Sequence, residues 1–234
     1  MSGSPEAVML SLSRLQRDGL IASPAQGFYV IVTPEYRALG CLPAEQFIPA
    51  LMDHKGLTYY AGLLSAAQYY GAAHQRPQEF QVLLEKPRRS IRCGKVRVRF
   101  ITRKQAAEVP VKEFNTPRGT IRVSTPEATA LDLAGYPRHV GGFDQTATIL
   151  AELADEIDGD LLPQAAMSAP IPWAQRLGFL LDQVSARALT DALSTYVSDH
   201  ARDYTPLVPG GAGNIRRKDS RWKIRVNADV EPDD

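Results

Sequence analysis

Gly56-Leu57-Thr58-Tyr59-Tyr60-Ala61-Gly62-Leu63-Leu64-Ser65-Ala66-Ala67-Gln68-Tyr69-Tyr70-Gly71, and after it Glu79-Phe80-Gln81-Val82-Leu83-Leu84, form the stretch on which the fold turns. Thr58 is placed to cap a helix: its hydroxyl can accept an orphan backbone N–H, and Gly56 precedes it. Tyr59, Leu63, Ala66 and Tyr70 fall on one helical face, and Ala61, Leu64 and Gln68 on another. A helix apolar most of the way round is enclosed by several neighbours. Its Ala, Gly and Ser content lets other backbones approach. Gly71 and Pro77 supply a stop. Phe80, Val82 and Leu84 then alternate, which predicts a strand. The stretch therefore predicts a buried central helix over Tyr59–Tyr70 that feeds a sheet.

At 234 residues the chain allows one or two domains with a real core. Hydrophobic content of 44% and charge of 23% are ordinary for a globular protein. The net charge is only +1, so any nucleic-acid signal must come from local clustering. No apolar run approaches the roughly 20 residues needed to span a bilayer, and the N-terminus lacks a signal-peptide pattern. Cys41 and Cys93 are far apart and have no metal-type spacing. A cytoplasmic protein with two reduced structural thiols is expected.

Working back to the start, Ser4-Pro5-Glu6 opens a helix, with Ser4 as cap and Pro5 at its first position. Val8, Leu12 and Leu15 recur at helical spacing, and Asp18-Gly19 ends it. Leu20-Ile21 reads as a short strand, Ser23–Gly27 as a turn and Phe28–Val32 as a returning strand. Helix, strand, turn and strand make the second half of a winged helix, and the spacing resembles the recognition helix and wing of those DNA readers. Ser11, Arg14 and Arg17 are then candidate DNA contacts. The two earlier helices of a winged helix are absent from this sequence. Val8, Leu12 and Leu15 are accordingly expected to be exposed, packed on the larger domain or buried against a second molecule. The plainer alternative is an amphipathic helix and hairpin packed on the larger domain.

Pro34, Gly40 and Pro43 punctuate a connection over Thr33–Leu42. The expected division is residues 1–42, a partial winged-helix DNA-binding domain plus linker, and residues 43–234, a C-terminal domain. Ala44–Asp53 reads as a helix that Pro49 should kink or delay.

Downstream of the central helix, Lys86–Lys104 holds nine Lys/Arg and no acid, a third of the chain's 27 basic residues. Lys95, Arg97 and Arg99 alternate with Val96, Val98 and Phe100, so a period of two puts the three cations on one strand face. Such a stripe can follow a phosphate backbone, or it can be an ordinary solvated sheet face. Arg88, Arg89, Arg92, Lys95, Arg97, Arg99, Arg103 and Lys104 are its candidate DNA contacts.

Val111–Phe114 and Thr120–Val123 read as a hairpin, and Thr125-Pro126 as another capped helix start. Gln145–Ile157, Trp173–Val184 and Arg187–Val197 carry apolar stripes of core type. Trp222–Val226 is a last strand, and Asp229–Asp234 an acidic tail. The expected fold class is α+β: a mainly antiparallel sheet from Phe80–Leu84, Lys95–Ile101, Val111–Phe114, Thr120–Val123 and Trp222–Val226, packed by helices.

Catalytic patterns are sparse. His54, His74, His139 and His200 are scattered without an HxxxH pair. There is no GxGxxG, Walker loop or GxSxG elbow. Glu152, Asp155, Glu156, Asp158 and Asp160 lack the spacing of a calcium loop. The nearest approach to a nuclease set is Glu113 beside Lys112 with Asp132 downstream. No enzyme activity, cofactor or metal is expected.

Several blocks together resemble the AbiEi antitoxins of bacterial abortive-infection type IV toxin–antitoxin systems. They are Tyr59–Ala67, Gly71–Gln75 with Pro77–Val82, Ser124–Leu133, Arg176–Leu181 and Arg221–Asn227. They occur in order over nearly the whole chain, and none is a catalytic signature. The resemblance implies an autorepressor that binds operator DNA with inverted repeats and counteracts a nucleotidyltransferase-like toxin, without implying direct contact with it. It also implies that the first part of an N-terminal winged helix is missing here. The other reading left open is a protein- or RNA-binding module acting through the basic stripe.

Overall fold

The computed structural model describes residues 4–72, 78–210 and 215–231. In chain order its elements are α1 (Pro5–Arg17), β1 (Ile21–Ala25), β2 (Phe28–Ile31), α2 (Ala44–Lys55), β3 (Tyr60–Ala61), α3 (Leu63–Tyr69) and β4 (Phe80–Leu84). Then come β5 (Ile91–Cys93), β6 (Val96–Thr102), β7 (Val111–Thr116), β8 (Gly119–Ser124), α4 (Pro126–Gly135) and α5 (Phe143–Leu153). The chain ends with α6 (Leu162–Ala166), α7 (Ile171–Gln183), α8 (Asp191–His200), β9 (Thr205–Pro206), β10 (Arg217–Asp219) and β11 (Ile224–Val226). The fold is α+β. His74, Pro77 and the end of the acidic tail lie outside the described residues.

Two compact units form, each from separated stretches of chain. The first is Met1–Ala61, Pro77–Ala107 and Glu113–Arg122; the second is Gly62–Arg76, Glu108–Lys112 and Val123–Asp234. The division thus falls elsewhere than at residue 42, because residues 1–61 join strands that come later in sequence.

The first unit is built on a sheet of order β5-β6-β4-β3-β8-β7, with the ends of β7 and β8 counted in the second unit. β3–β4 and β5–β6 are antiparallel, while β4 and β6 run parallel, with Phe80 opposite Val98 and Leu84 opposite Thr102. α2 packs on this unit through Phe47, Ile48, Leu51 and Met52, all essentially buried. It runs unbroken through Pro49, and Gly56 closes it in the left-handed conformation (φ 61°).

The central stretch differs from expectation. Tyr60 and Ala61 are strand, paired with Leu83 and Val82. The helix begins only at Leu63. Gly62 is the physical reason: it is fully extended (φ −137°, ψ −176°) and breaks the helical path. Leu63 then enters the helix from a strained positive φ of 53°. An aromatic such as Tyr60 accepts a pleated environment readily. The burial expectation does hold, since Tyr60, Ala61, Leu63, Ala66 and Ala67 are all inaccessible to solvent.

The second unit is organised by α4, which packs against α3, α5, α6 and α7. Thr125 caps it by accepting the Ala128 N–H at 3.3 Å, and every residue from Pro126 to Ala134 is buried. The final strand is shorter than expected. It belongs not to the main sheet but to a separate one of order β10-β11-β9. α7 holds this small sheet. The Gln175 amide donates to the carbonyls of Asp203, Trp222 and Lys223, and Arg176 Nε donates to those of Pro206 and Leu207. Burial lowers the Arg176 pKa from its usual value. Asp182 accepts from Trp222 Nε1 at 2.8 Å and from Arg221 at 3.3 Å.

Candidate nucleic-acid interface

The hairpin β5–β6 carries the centre of the basic stretch. Ile91 and Cys93 are buried and Arg92 is exposed, as period two requires. On β6, Arg97 and Arg99 are exposed while Val98 is buried. Arg92 pairs directly with Arg97 across the ladder. Cβ atoms so placed lie about 5 Å apart, and like charges directly opposite are destabilising. Neither guanidinium has an acidic partner among the described residues.

Lys95 is exposed but occupies the turn rather than the strand, beside Gly94. Gly94 takes φ 56°, and a Cβ there would meet the Leu39 carbonyl oxygen at 2.1 Å. The Lys95 N–H donates to that same oxygen at 2.7 Å, which ties the turn to the 39–41 segment. The same close approach brings Cys41 and Cys93 together. The neighbouring Cys93 thiol, and then burial, hold the Cys41 thiol well above its ordinary pKa, while Cys41 pulls that of Cys93 down. Both thiols are free and buried.

Two members leave the exposed set. Arg99 is exposed but bonded through Nε to Glu79 at 2.5 Å. Arg103 is only 3% exposed and donates to the Lys104 carbonyl, so it is not available to a surface partner. Arg89 and Lys104 are exposed, and Arg88 is half-buried. The alternation in 95–99 marked this face correctly. It could not reveal Glu79, which lies on another strand's approach, nor the burial of Arg103 between the exposed Thr102 and Lys104.

α1 and the β1–β2 hairpin sit in the same unit, with β1 against β5. Ser4 caps α1 by accepting the Ala7 N–H, and no residue of α1 is fully buried. Ser11, Arg14 and Arg17 are all exposed; Ser11 bonds the Ala7 carbonyl and Arg17 lies 3.8 Å from Asp18. Val8 and Leu15 are exposed and Leu12 is half-buried, so the apolar stripe is open, one of the three expected outcomes. The hairpin turn is tighter than expected, at Gln26-Gly27, because a register shift between Ala22 and Ala25 accommodates Pro24.

Asp132 is wholly buried in α4 and Glu113 is exposed on β7. Lys112 lies over the Tyr70 ring at 6.0 Å. No cluster of His, Cys, Asp and Glu suited to a metal occurs among the described residues. None of the described helices is long and apolar enough to cross a membrane.

The sequence matches no curated protein. The fold is similar to that in the crystal structure of the RV2827C protein from Mycobacterium tuberculosis, with a TM-score of 0.63 at 16% identity over 92% of this chain and 78% of that one. The family model of the AbiEi antitoxin C-terminal domain matches residues 60–183. That span runs from β3 into α7 and includes the whole basic hairpin, and it covers more than half of the sequence: the chain belongs to the AbiEi antitoxin family.

Proposed function

We propose that this antitoxin-family protein binds operator DNA carrying inverted repeats, represses its own operon and counteracts a nucleotidyltransferase-like toxin. Family membership supports the antitoxin role. The observation that carries the DNA reading is the Arg92–Arg97 pair: two exposed cations directly opposite in the ladder, neither in an ion pair among the described residues. Such a pair is costly in the free protein, and a phosphate between the two guanidiniums offsets that cost. Arg89, Lys95 and Lys104 extend the positive face. α1 supplies Ser11, Arg14 and Arg17 as readers, and β1–β2 acts as the wing. The test is binding of operator and unrelated duplexes over a range of salt. Stronger binding to the operator, weakening with salt, supports the reading. Equal failure of both duplexes, with toxin neutralisation intact, makes the stripe a protein surface.

A further inference from the structure

Beside the β5–β6 hairpin lies an open cleft of about 570 Å³, wholly within the first unit. One wall is the end of β1 at Pro24 and Ala25; the other is the segment 87–90, with Arg88 and Arg89, and β5 with Arg92. Phe100 completes the lining. Among the described residues no acidic side chain borders the cleft and none of the three arginines has an ion pair. The Arg88 guanidinium lies over the Phe100 ring, 5.8 Å from its centroid. A guanidinium laid on an aromatic face keeps its N–H edge available for a bidentate bond to phosphate. Ser90 adds a hydroxyl to the same wall.

The size of the cleft refines its ligand. It falls within the range of small-molecule sites and exceeds what a lone phosphate fills. Its remaining lining is apolar, with Pro87 and Ile91 joining Pro24 and Phe100. Apolar side chains beside a group of unpaired cations fit a base joined to a phosphate. We propose that this cleft binds a nucleotide unit, its phosphate on Arg88, Arg89 and Arg92 and its base against the apolar wall. The unit is either a free nucleotide or one nucleotide of a nucleic-acid strand. The proposal shares Arg89 and Arg92 with the DNA-binding reading but rests on the cleft, not on operator recognition.

The experiment is calorimetric titration of the full chain with ATP, AMP, inorganic pyrophosphate and a 12-nucleotide single strand. The proteins are wild type, R88A/R89A, R88K/R89K and R202A, each checked for an unchanged unfolding midpoint. Binding of ATP and pyrophosphate that falls at least tenfold in R88A/R89A assigns the site to a free nucleotide. Binding of the single strand alone, with the same tenfold loss, assigns it to a strand. The Lys variant keeps the charge but not the planar fork, so it should recover only part of the loss. Arg202 is exposed in the second unit and outside the lining, so R202A should stay within threefold of wild type for nucleotides. If no probe binds wild type, or if R88A/R89A binds every probe as wild type does, the proposal is overturned. Operator affinity measured on R97A decides the DNA reading separately, since Arg97 lies outside the cleft, so either can fail alone.

Discussion

At the scale of single residues, the joints of the second unit are the most legible in energetic terms. Gly178 on α7 faces the buried Trp222, and a Cβ there would meet the indole at 2.1 Å. Helix propensity favours Ala over Gly by about 1 kcal/mol, while overpacking costs about 1–3 kcal/mol. Gly178→Ala should therefore destabilise by up to about 2 kcal/mol, read as a lower urea midpoint at constant m-value. Tyr70 offers a pH test. Burial, and then the charges of Glu127 and Glu156, raise its phenol pKa. Its hydroxyl donates to the Ser124 carbonyl at 2.7 Å. A group whose folded pKa is raised contributes stability in full below its unfolded value, near 10, and loses it as pH rises. The unfolding midpoint should fall above about pH 10, and Tyr70→Phe should remove that component of the fall. The sulfur contact of Cys41 with Cys93 was not legible in the sequence. It arises because Gly40 and Gly94 let two backbones touch, a long-range approach that no local spacing encodes.

At the scale of elements, strands and helices whose pattern is local were readable, and those set by partners were not. Phe80–Leu84 emerges as the predicted strand, but as a central strand between β3 and β6 it is buried from Gln81 to Leu84 rather than alternating. Tyr60–Ala61 reads as helix by face but becomes strand because β4 offers it a ladder. β5, only three residues long, has no periodicity to detect and is defined by β6. α1 was readable from its cap and spacing, and its exposed cations give a prediction. If α1 reads base edges, Arg14→Ala with Arg17→Ala should reduce the affinity ratio of operator to random duplex by about tenfold or more. Folding should be unaffected, since exposed substitutions change stability by about 0.5 kcal/mol or less. Competition binding measures the ratio, and an unchanged ratio removes α1 from recognition.

At the scale of the whole molecule, the sequence blocks that resemble the family are structural joints rather than a site. Ser124 and Thr129 bond one another at 2.7 Å, and Glu127 accepts the Asp158 N–H. Residues 176–181 and 221–227 meet through Gly178 and Trp222. Ser124–Leu133, Arg176–Leu181 and Arg221–Asn227 build the second unit, and for that reason they name no partner. The candidate site lies in the first unit. There the charge pattern was legible, but the Glu79 partner of Arg99 and the burial of Arg103 were not. The central claim is that the uncompensated Arg92–Arg97 pair holds nucleic-acid phosphates. Its most direct measurement is the slope of log affinity against log salt for wild type and R92A/R97A, on operator and random duplexes alike. The account predicts weaker binding to both duplexes and a slope smaller by about two, one per lost phosphate contact. An unchanged affinity and slope, with neutralisation of the toxin lost, would contradict it.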